Sequence, residues 1–385
     1  MASFVDGLHR MLPFLPRMSL QLARLLCAPD RAERIGQILA QDRILAKRPV
    51  AIYLATPRRF LRPDRLARKR TALTNLLAMI EAAQAAALAQ GLGLRIVAVE
   101  HLARLPRAGL VFSHHTVEDA LFGRLRADGC VVWHFKTGDL PDSLTIDAGG
   151  FSGWSTLATR SLAALGLEDI DLAEAEAFFA ERQAAVIGGN LSKYQQPTVG
   201  PMTPLPQPYV FVALQTIGDM VQRQAHIPML EMLRIVVERF AGTGMTVAIK
   251  RHPKCRSAQV WRALAAAAAQ PHVRLVDGSI HQLLAGASAL ITVNSGVGSE
   301  AMLHRVPIYC FGGADYAPIA HSIRSAAAFR ALTDPIRPAT SAEDLVRFHF
   351  YYRTVHQTVG SAALHRRVDR LVADFIRARA ETGRQ

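Results

Sequence analysis

Short runs of apolar residues recur along the chain, each closed by polar or turn-forming residues. They fall at 50–55, 94–99, 109–113 and 131–135, and again at 209–214, 246–250, 273–276, 290–293 and 306–311. Runs of this length without strict alternation predict strands covered on both faces, as in a parallel sheet. Helical patterns intervene at 73–90, 228–240, 258–269 and 299–304. Strand alternating with helix, twice over, predicts an α/β chain with two parallel sheets.

The two series are separated by residues 190–208, which hold Pro197, Pro201, Pro204, Pro206 and Pro208. Such a stretch predicts an interdomain linker. The expected division is a first Rossmann-like domain over 1–200, a second over 201–335 and a helical, Arg-rich tail over 336–385. Two Rossmann-like domains with parallel sheets and an interdomain cleft make a GT-B-like architecture. Ahead of them, residues 4–27 are apolar, with Arg10, Arg17 and Arg24 spaced to share one helix face and Pro13 and Pro16 interrupting it. This segment is either a membrane-surface anchor or a helix packed on the body with Arg at its rim.

The chain has 385 residues, enough for two domains with real cores. Its formal charge is +14, from 45 Lys+Arg against 31 Asp+Glu, and most of the cations are Arg. Such a surface suits an anionic membrane, an acidic sugar polymer or nucleic acid. The densest basic run is Arg58, Arg59, Arg62, Arg65, Arg68, Lys69 and Arg70. It reads as a landing surface for an anionic acceptor or lipid headgroups, or as a solvated helix face. Only Phe60 interleaves it and no nucleic-acid motif accompanies it, which argues against a nucleic acid polymer. Cys27, Cys130, Cys255 and Cys310 form no C-x-x-C pair. That spacing argues against zinc and a disulfide framework and for a reducing, cytoplasmic setting. His9, Arg10 and Arg17 break any secretory h-region, and no run reaches the roughly 18–20 apolar residues of a membrane span.

Candidate chemistry gathers where strands end, since ligands of open parallel sheets sit beyond the carboxyl ends. The run 290–293 leads into Asn294-Ser-Gly-Val-Gly-Ser-Glu300 and a helix start. Free N–H groups, Gly296, Gly298 and the Ser295 and Ser299 hydroxyls suit a phosphate there; a plain strand–helix turn with a Ser cap is the alternative. The run 246–250 ends in Lys250-Arg-His-Pro253, a cationic corner that would converge on the same crevice. Taken singly, His252 also suits a surface Pro turn, and Lys250 and Arg251 a solvated loop. Gln215 to Asp219 leaves the first strand of the second series, either lining that edge or forming an Asx-type turn.

In the first series, Ser113-His-His115 ends a strand, so His114 and His115 would face an acceptor. The long non-helical stretch 136–155 carries Asp139, Asp142 and Asp147. Asp139 and Asp142 suit turns beside Gly138 and Pro141. Asp147 suits either a turn or the carboxylate that sugar transfer requires. No G-x-S-x-G elbow is present, against a Ser–His–Asp hydrolase.

Tyr209-Val-Phe-Val-Ala-Leu-Gln215 with Asp219, Ala248-Ile-Lys-Arg-His-Pro253, Ile291-Thr-Val-Asn-Ser295 and Leu144-Thr-Ile-Asp-Ala-Gly-Gly-Phe-Ser-Gly-Trp-Ser155 together resemble the capsule polysaccharide synthesis family. Its best-known members are the Kps-type bacterial capsule Kdo transferases. The resemblance implies a GT-B glycosyltransferase that moves Kdo or a related acidic sugar from a CMP-sugar to an anionic lipid-linked or saccharide acceptor. It also implies contact with the inner-membrane cytoplasmic face and the capsule-export machinery. By position, Lys250, His252 and Pro253 would hold CMP, Asn294 and Ser295 its phosphate with Gly296, Ser299 and Glu300 beside them, and Gln215 and Asp219 the donor pocket. Asp147 would be the catalytic carboxylate, and His114, His115, Arg58 and Arg59 the acceptor side. No metal or cofactor is expected, because fixed cations and N–H groups can hold a leaving phosphate. Typical members carry Glu-Glu-Gly or Glu-Asp-Gly where this chain has Lys136-Thr-Gly138, and Ser where it has Met220. The alternatives are a non-catalytic polysaccharide-binding or export-adaptor member, and another GT-B activity such as UDP-sugar epimerisation or glycerophosphate transfer.

Overall fold

The computed structural model describes residues 29–45, 47–60, 71–104, 108–140, 143–200, 204–332 and 336–382. The segment 4–27, Cys27, the cations Arg62, Arg65, Arg68, Lys69 and Arg70, and Asp142 lie outside the described residues. The described residues divide into two compact units. One takes those within Met1–Gly138, Asp142–Phe151 and His356–Gln385, the other those within Asp139–Pro141 and Ser152–Val355.

The first unit runs α1 (Pro29–Leu45), β1 (Val50–Thr56), α2 (Thr71–Ala89), β2 (Gly93–Ala98), β3 (Leu110–His114), α3 (Asp119–Ala127), β4 (Val131–Thr137) and β5 (Ser143–Asp147). It is completed from the far end of the chain by β12 (Gln357–Val359) and α11 (Ser361–Thr382). The sheet order is β12-β5-β4-β3-β1-β2, parallel from β2 to β4 and antiparallel at β5 and β12. Both faces of the parallel part are covered, which is why β3 is buried along its whole length. Phe112 and Phe135 are fully enclosed, each such burial contributing about 2 kcal/mol. Leu364, Val368, Leu371, Val372 and Phe375 recur at helical spacing along α11 and join the core that holds Leu73, Leu76, Ile80 and Ala83 of α2.

The second unit runs α4 (Leu172–Gly188), β6 (Tyr209–Ala213), α5 (Met229–Phe240), β7 (Thr246–Lys250), α6 (Ala258–Ala268), β8 (Val273–Leu275), α7 (Ile280–Ala285), β9 (Ala287–Thr292), α8 (Val297–Leu303), β10 (Ile308–Cys310), β11 (His321–Ser322), α9 (Ala326–Arg330) and α10 (Ala342–Tyr351). Its sheet order is β11-β10-β9-β6-β7-β8, parallel throughout. Counted from β6 this is the Rossmann order 3-2-1-4-5-6, and its switch point lies between β6 and β9.

Four expectations need correction. The division at 200 does not hold, because 152–200 belongs to the second unit. The proline-rich stretch is no free linker. The side chain of Asn190 meets the Ser279 hydroxyl, the Leu191 carbonyl lies 2.8 Å from His281 Nε2, and the Gln196 side chain accepts from the Ile280 N–H at 3.0 Å. Prolines lack a donor, but their neighbours supply carbonyls and side chains, so the stretch straps onto α7. The tail is not a separate domain either. It ends α10, crosses at Val355/His356 and returns to the first unit, where β12 pairs with β5 and α11 packs on α2. The stretch 136–155 is also less irregular than expected, since Ser143–Asp147 forms strand β5.

Candidate functional site

The carboxyl ends of β6, β7 and β9 bring the two predicted corners of the second unit to one edge. The Leu214 N–H donates to the Lys250 carbonyl at 3.0 Å, and the Thr292 hydroxyl donates to the Ala213 carbonyl at 2.9 Å. Across the switch point Gln215 and Asn294 hold each other. Gln215 Nε2 donates to Asn294 Oδ1 at 3.0 Å, and the Asn294 backbone N–H donates to Gln215 Oε1 at 3.2 Å. Asn294 Nδ2 also donates to the carbonyls of Val221 (2.7 Å) and Gly313 (3.1 Å). Both amides are buried. Their hydrogen-bonding capacity goes mainly into fixing the crevice floor, with the loops on either side held in register.

The helix start behaves differently from its sequence. Helix α8 is one seven-residue piece, and its leading N–H groups are paired locally. Val297 N–H donates to Ser295 Oγ (3.3 Å), Gly298 N–H to the Ser295 carbonyl (3.0 Å) and Ser299 N–H to the Gly296 carbonyl (3.0 Å). The Ser299 hydroxyl donates to the same Gly296 carbonyl at 2.7 Å and is buried. Gly298 serves packing: a Cβ there would lie 2.1 Å from the ring of Tyr316, whose hydroxyl donates to the Ser295 carbonyl at 2.6 Å. Gly296 has open space instead, and Ser295 stays half-exposed beside it.

The Lys250-Arg-His-Pro253 corner keeps its polar face. The Lys250 ammonium donates to the Gly278 carbonyl. Its pKa is lowered by burial, against the pull of Asp277 and Glu300. Arg251 is folded back: its guanidinium donates to the Cys255 carbonyl and stacks 4.4 Å from the Trp261 ring centre. His252 Nδ1 accepts the Lys254 N–H at 3.1 Å, which fixes the tautomer with hydrogen on Nε2. Burial, then the Lys254 and Arg251 charges, lower its pKa, so the ring is neutral at pH 7 and offers an N–H donor. Pro253 forms the exposed outer turn.

Sequence reasoning missed the strap residues at this edge, because the proline-rich composition points to a linker. The Tyr194 ring stands edge-on to His252, 5.5 Å between centres, with the Lys254 ammonium 3.9 Å from its own centre. Ser192 hydrogen-bonds Glu300, and Lys193 acts on the same carboxyl. Asp219 follows Gly218, which takes a positive φ of 82°. It is exposed, caps the next turn through the Val221 N–H (3.4 Å), and its charge reaches both Tyr194 and His252.

Behind this edge Glu300 is buried, and Oε1 has no hydrogen-bond partner. Burial raises its pKa to about 8, so it is a neutral acid at pH 7. It lines a cavity of about 10 Å³, room for about one water, with Ser299, His349 and the ion pair of Arg353 with Asp139. Asp139 is thus an ion-pair partner; the Arg353 charge lowers its pKa against the burial that raises it.

In the first unit the switch point lies between β1 and β3, and His114 bridges it. Its Nδ1 lies 2.8 Å from the Thr56 hydroxyl, and its buried Nε2 has no partner. Burial, then His115 and Arg59, drive its pKa well below 6.5. His115 follows in a left-handed conformation (φ 53°), its ring 5.7 Å from Phe60. Arg58 and Arg59 are exposed at the end of β1, with Arg59 on the Phe60 ring at 5.2 Å. Asp147 is buried at the end of β5. Its Oδ1 accepts the N–H groups of Gly149 (2.7 Å) and Gly150 (3.1 Å), and its Oδ2 lies 3.9 Å from His356 Nδ1. The Lys136 ammonium sits 4.8 Å from the Phe151 ring centre, and the Thr137 hydroxyl accepts the Asn75 amide at 3.2 Å. Among the described residues no cluster of His, Cys, Asp and Glu is arranged to hold a metal, and no helix is long and apolar enough to cross a membrane.

Residues 192–330 match the family described as Capsule polysaccharide biosynthesis protein, so the family resemblance carried by the motifs is borne out. The match begins at the strap and spans the edge where β6, β7 and β9 end. No curated protein matches the chain. Among solved structures, KpsC, the beta Kdo 2,4 transferase of Thermosulfurimonas dismutans, is 16% identical, with a TM-score of 0.50 over 72% of this chain and 91% of its own. The beta Kdo 2,7 transferase of the same organism's KpsC is 16% identical, with a TM-score of 0.48 over 80% and 92%. The UDP-GlcNAc 2-epimerase of Methanocaldococcus jannaschii is 11% identical, with a TM-score of 0.32 over 82% and 80%. The first likeness shows the fold, and the expected GT-B-like class of two parallel-dominated α/β sheets is borne out.

Proposed function

We propose that this chain, which carries the capsule polysaccharide family's pattern over 192–330, is a glycosyltransferase of capsular polysaccharide assembly. It moves Kdo or a related acidic sugar from a CMP-sugar to an anionic lipid-linked or saccharide acceptor. The observation behind the reading is the edge of the second unit, where a neutral His252 with its Nε2 hydrogen stands between Lys250 and Lys254 in sequence, beyond the end of β7 and one strand from the Rossmann switch point. Such a set stabilises the phosphate of departing CMP through donors fixed in advance. Ser295, next to the open Gly296, adds a hydroxyl. Gln215 and Asn294 position the loops, and Lys250 reaches Glu300 and Asp277 electrostatically. Asp147 is the carboxylate of the transfer step, its Oδ2 beside His356. Arg58, Arg59 and His115 serve the acceptor, with the fully buried His114 behind them rather than facing it, and the two arginines seat the protein on the cytoplasmic face of an anionic membrane. Titration of CMP into wild type and His252→Ala tests the reading. Retention by wild type and loss in the variant is the expected outcome, together with CMP release from CMP-Kdo on adding acceptor. Equal retention by both removes His252 from the site.

A second reading rests on Lys136 and Thr137, a cation and a hydroxyl where family members carry acids. It makes the chain a polysaccharide-binding or export-adaptor protein without turnover. Inactivity on CMP-, UDP- and GDP-sugars with retained polymer binding would favour it, and a co-purified nucleotide identified by mass spectrometry would favour transfer or another GT-B activity.

A further inference from the structure

The strap is held at Asn190, Leu191 and Ser192, and the group that holds the middle residue can take up protons. The Asn190 side chain meets the Ser279 hydroxyl, the Leu191 carbonyl lies 2.8 Å from His281 Nε2, and Ser192 hydrogen-bonds Glu300. His281 is joined in turn to His304, just past α8. Its Nδ1 lies 3.0 Å from His304 Nε2, with the ring planes 28° apart and the ring centres 5.3 Å apart. The centres are separated by the N···N distance plus about the two ring radii, so both nitrogens lie close to the line joining the rings. A lone pair and an N–H then face each other directly, which suits a hydrogen bond and not two lone pairs converging on a metal.

A carbonyl only accepts, so His281 Nε2 carries a hydrogen. In the neutral ring Nδ1 is then an acceptor, and His304 Nε2 donates to it. The bonds run in one direction, from His304 through His281 to the Leu191 carbonyl. A proton added to His281 Nδ1 breaks the first of them, and two imidazolium rings at this separation repel. The closed arrangement therefore holds fewer protons in acid than the released one. Burial lowers the pKa of both rings, against the Leu191 bond in His281 and to about 4 in His304, where His281 adds to the effect. Glu300, one helical turn before His304, keeps its proton up to about pH 8, and Lys193 of the strap acts on it. Arg182, His349 and the Asp139–Arg353 pair line the cavity beyond Glu300, Arg305 lies over the Phe179 ring, and Lys250 and Asp277, ahead of α7, act on each other. His252 and Lys254 reach the strap through the Tyr194 ring.

We infer that the strap 190–200 is a proton-operated latch: between pH 7 and pH 5 the His281–His304 pair takes up protons, lets go of the Leu191 carbonyl and frees the strap from α7. Release withdraws Tyr194 from His252 and Ser192 from Glu300, so acid opens this edge whichever ligand it takes. The closed latch is at full strength above 6.5 and weakens as pH falls toward 4.

Hydrogen–deuterium exchange of the full chain at pH 7 and pH 5, corrected for intrinsic exchange rates, tests it in the peptide 279–285, whose Ile280 N–H is covered by Gln196. A histidine whose pKa falls from 6.5 to about 4 on closing raises the open fraction roughly twentyfold between those pH values. Wild-type protection at Ile280 is expected to fall by that factor, with a smaller fall in β6 of the same sheet. His304→Gln keeps a donor toward His281 Nδ1 but cannot titrate, and is expected to stay protected at pH 7 and lose most of the pH response. His281→Gln keeps a donor toward the Leu191 carbonyl and is expected to do the same. Unchanged wild-type protection at pH 5 overturns the latch, and so does an equal fall in β6, which reports unfolding of the whole unit. The full wild-type response in folded His304→Gln and His281→Gln assigns it to another group, such as His252, and overturns the latch as well. The wild-type comparison decides even where a variant fails to fold, because Ile280 and β6 report separately.

Discussion

Glu300 offers a perturbation whose sign is set by burial. Its carboxyl is enclosed in the first turn of α8, one oxygen meets Ser192 and Oε1 has no partner. Lys250 and Lys193 favour the ionised form, but Lys250 is bound to the Gly278 carbonyl, and burial outweighs both. The pKa rises from 4.5 to about 8. A carboxyl whose folded pKa lies above its unfolded value holds its proton only in the folded state across that interval. Its stabilising contribution is complete below 4.5 and is lost as pH rises toward 8. At pH 7 the unfolded chain sits two and a half pH units above its own pKa, so keeping Glu300 protonated costs about 3 kcal/mol.

Glu300→Gln removes that titration while preserving shape, and the adjoining cavity of about 10 Å³ can give the new amide a water. Urea denaturation of wild type and variant at matched pH values gives the difference. The variant is expected to be within about 1 kcal/mol of wild type near pH 5 and more stable by about 3 kcal/mol at pH 7. Every histidine titrates in both proteins, so the difference isolates Glu300. A variant less stable than wild type at pH 7 would show an ionised Glu300 paired with its lysines and refute the reasoning.

Two further outcomes follow from packing and protonation. Gly298→Ala places a methyl against the Tyr316 ring, which cannot retreat without losing its bond to the Ser295 carbonyl, so it should cost about 2 kcal/mol or more. Gly296→Ala, in open space with helical φ and ψ, should be neutral or stabilise by up to about 1 kcal/mol; equal thermal midpoints for the two variants would contradict the packing role. His134, held neutral by burial with a pKa of about 4 against 6.5, keeps its full contribution above 6.5 and loses about 3 kcal/mol as pH falls to 4. Its ring bonds to the Thr116 carbonyl and Arg126 go with it, and a His134→Gln chain with the same acid slope as wild type would exclude that residue as a cause.

The strands were legible because burial on both faces leaves continuous apolar runs, and Thr246–Lys250 falls where its run predicted. Strand β5 was not, since Ser143, Thr145 and Asp147 alternate with Leu144 and Ile146 between turn residues and mimic a loop. The return of α11 was equally hidden: its apolar stripe shows an amphipathic helix but not which core receives it. At the site, the pairing of the 215 and 294 corners was legible as two strand ends sharing an edge. Their mutual amide bonds were not, because the same Asn and Gln suit a ligand or each other.

The proposed anion grip has a different source in the structure from the one that the sequence suggests. A Gly/Ser turn before a helix implies free N–H groups, yet here Ser295 Oγ and two local carbonyls take them, and Tyr316 fills the space that Gly298 opens. That ring lies 21 positions downstream of the carbonyl it bonds, beyond the reach of a local motif. The donors therefore come from the opposite corner. The Lys254 N–H sets the tautomer of His252, and the strap sets Tyr194 against that imidazole. On the proposed reading, the N–H of the neutral His252 takes over the role that the sequence assigned to the helix start and donates to the phosphate of the departing nucleotide.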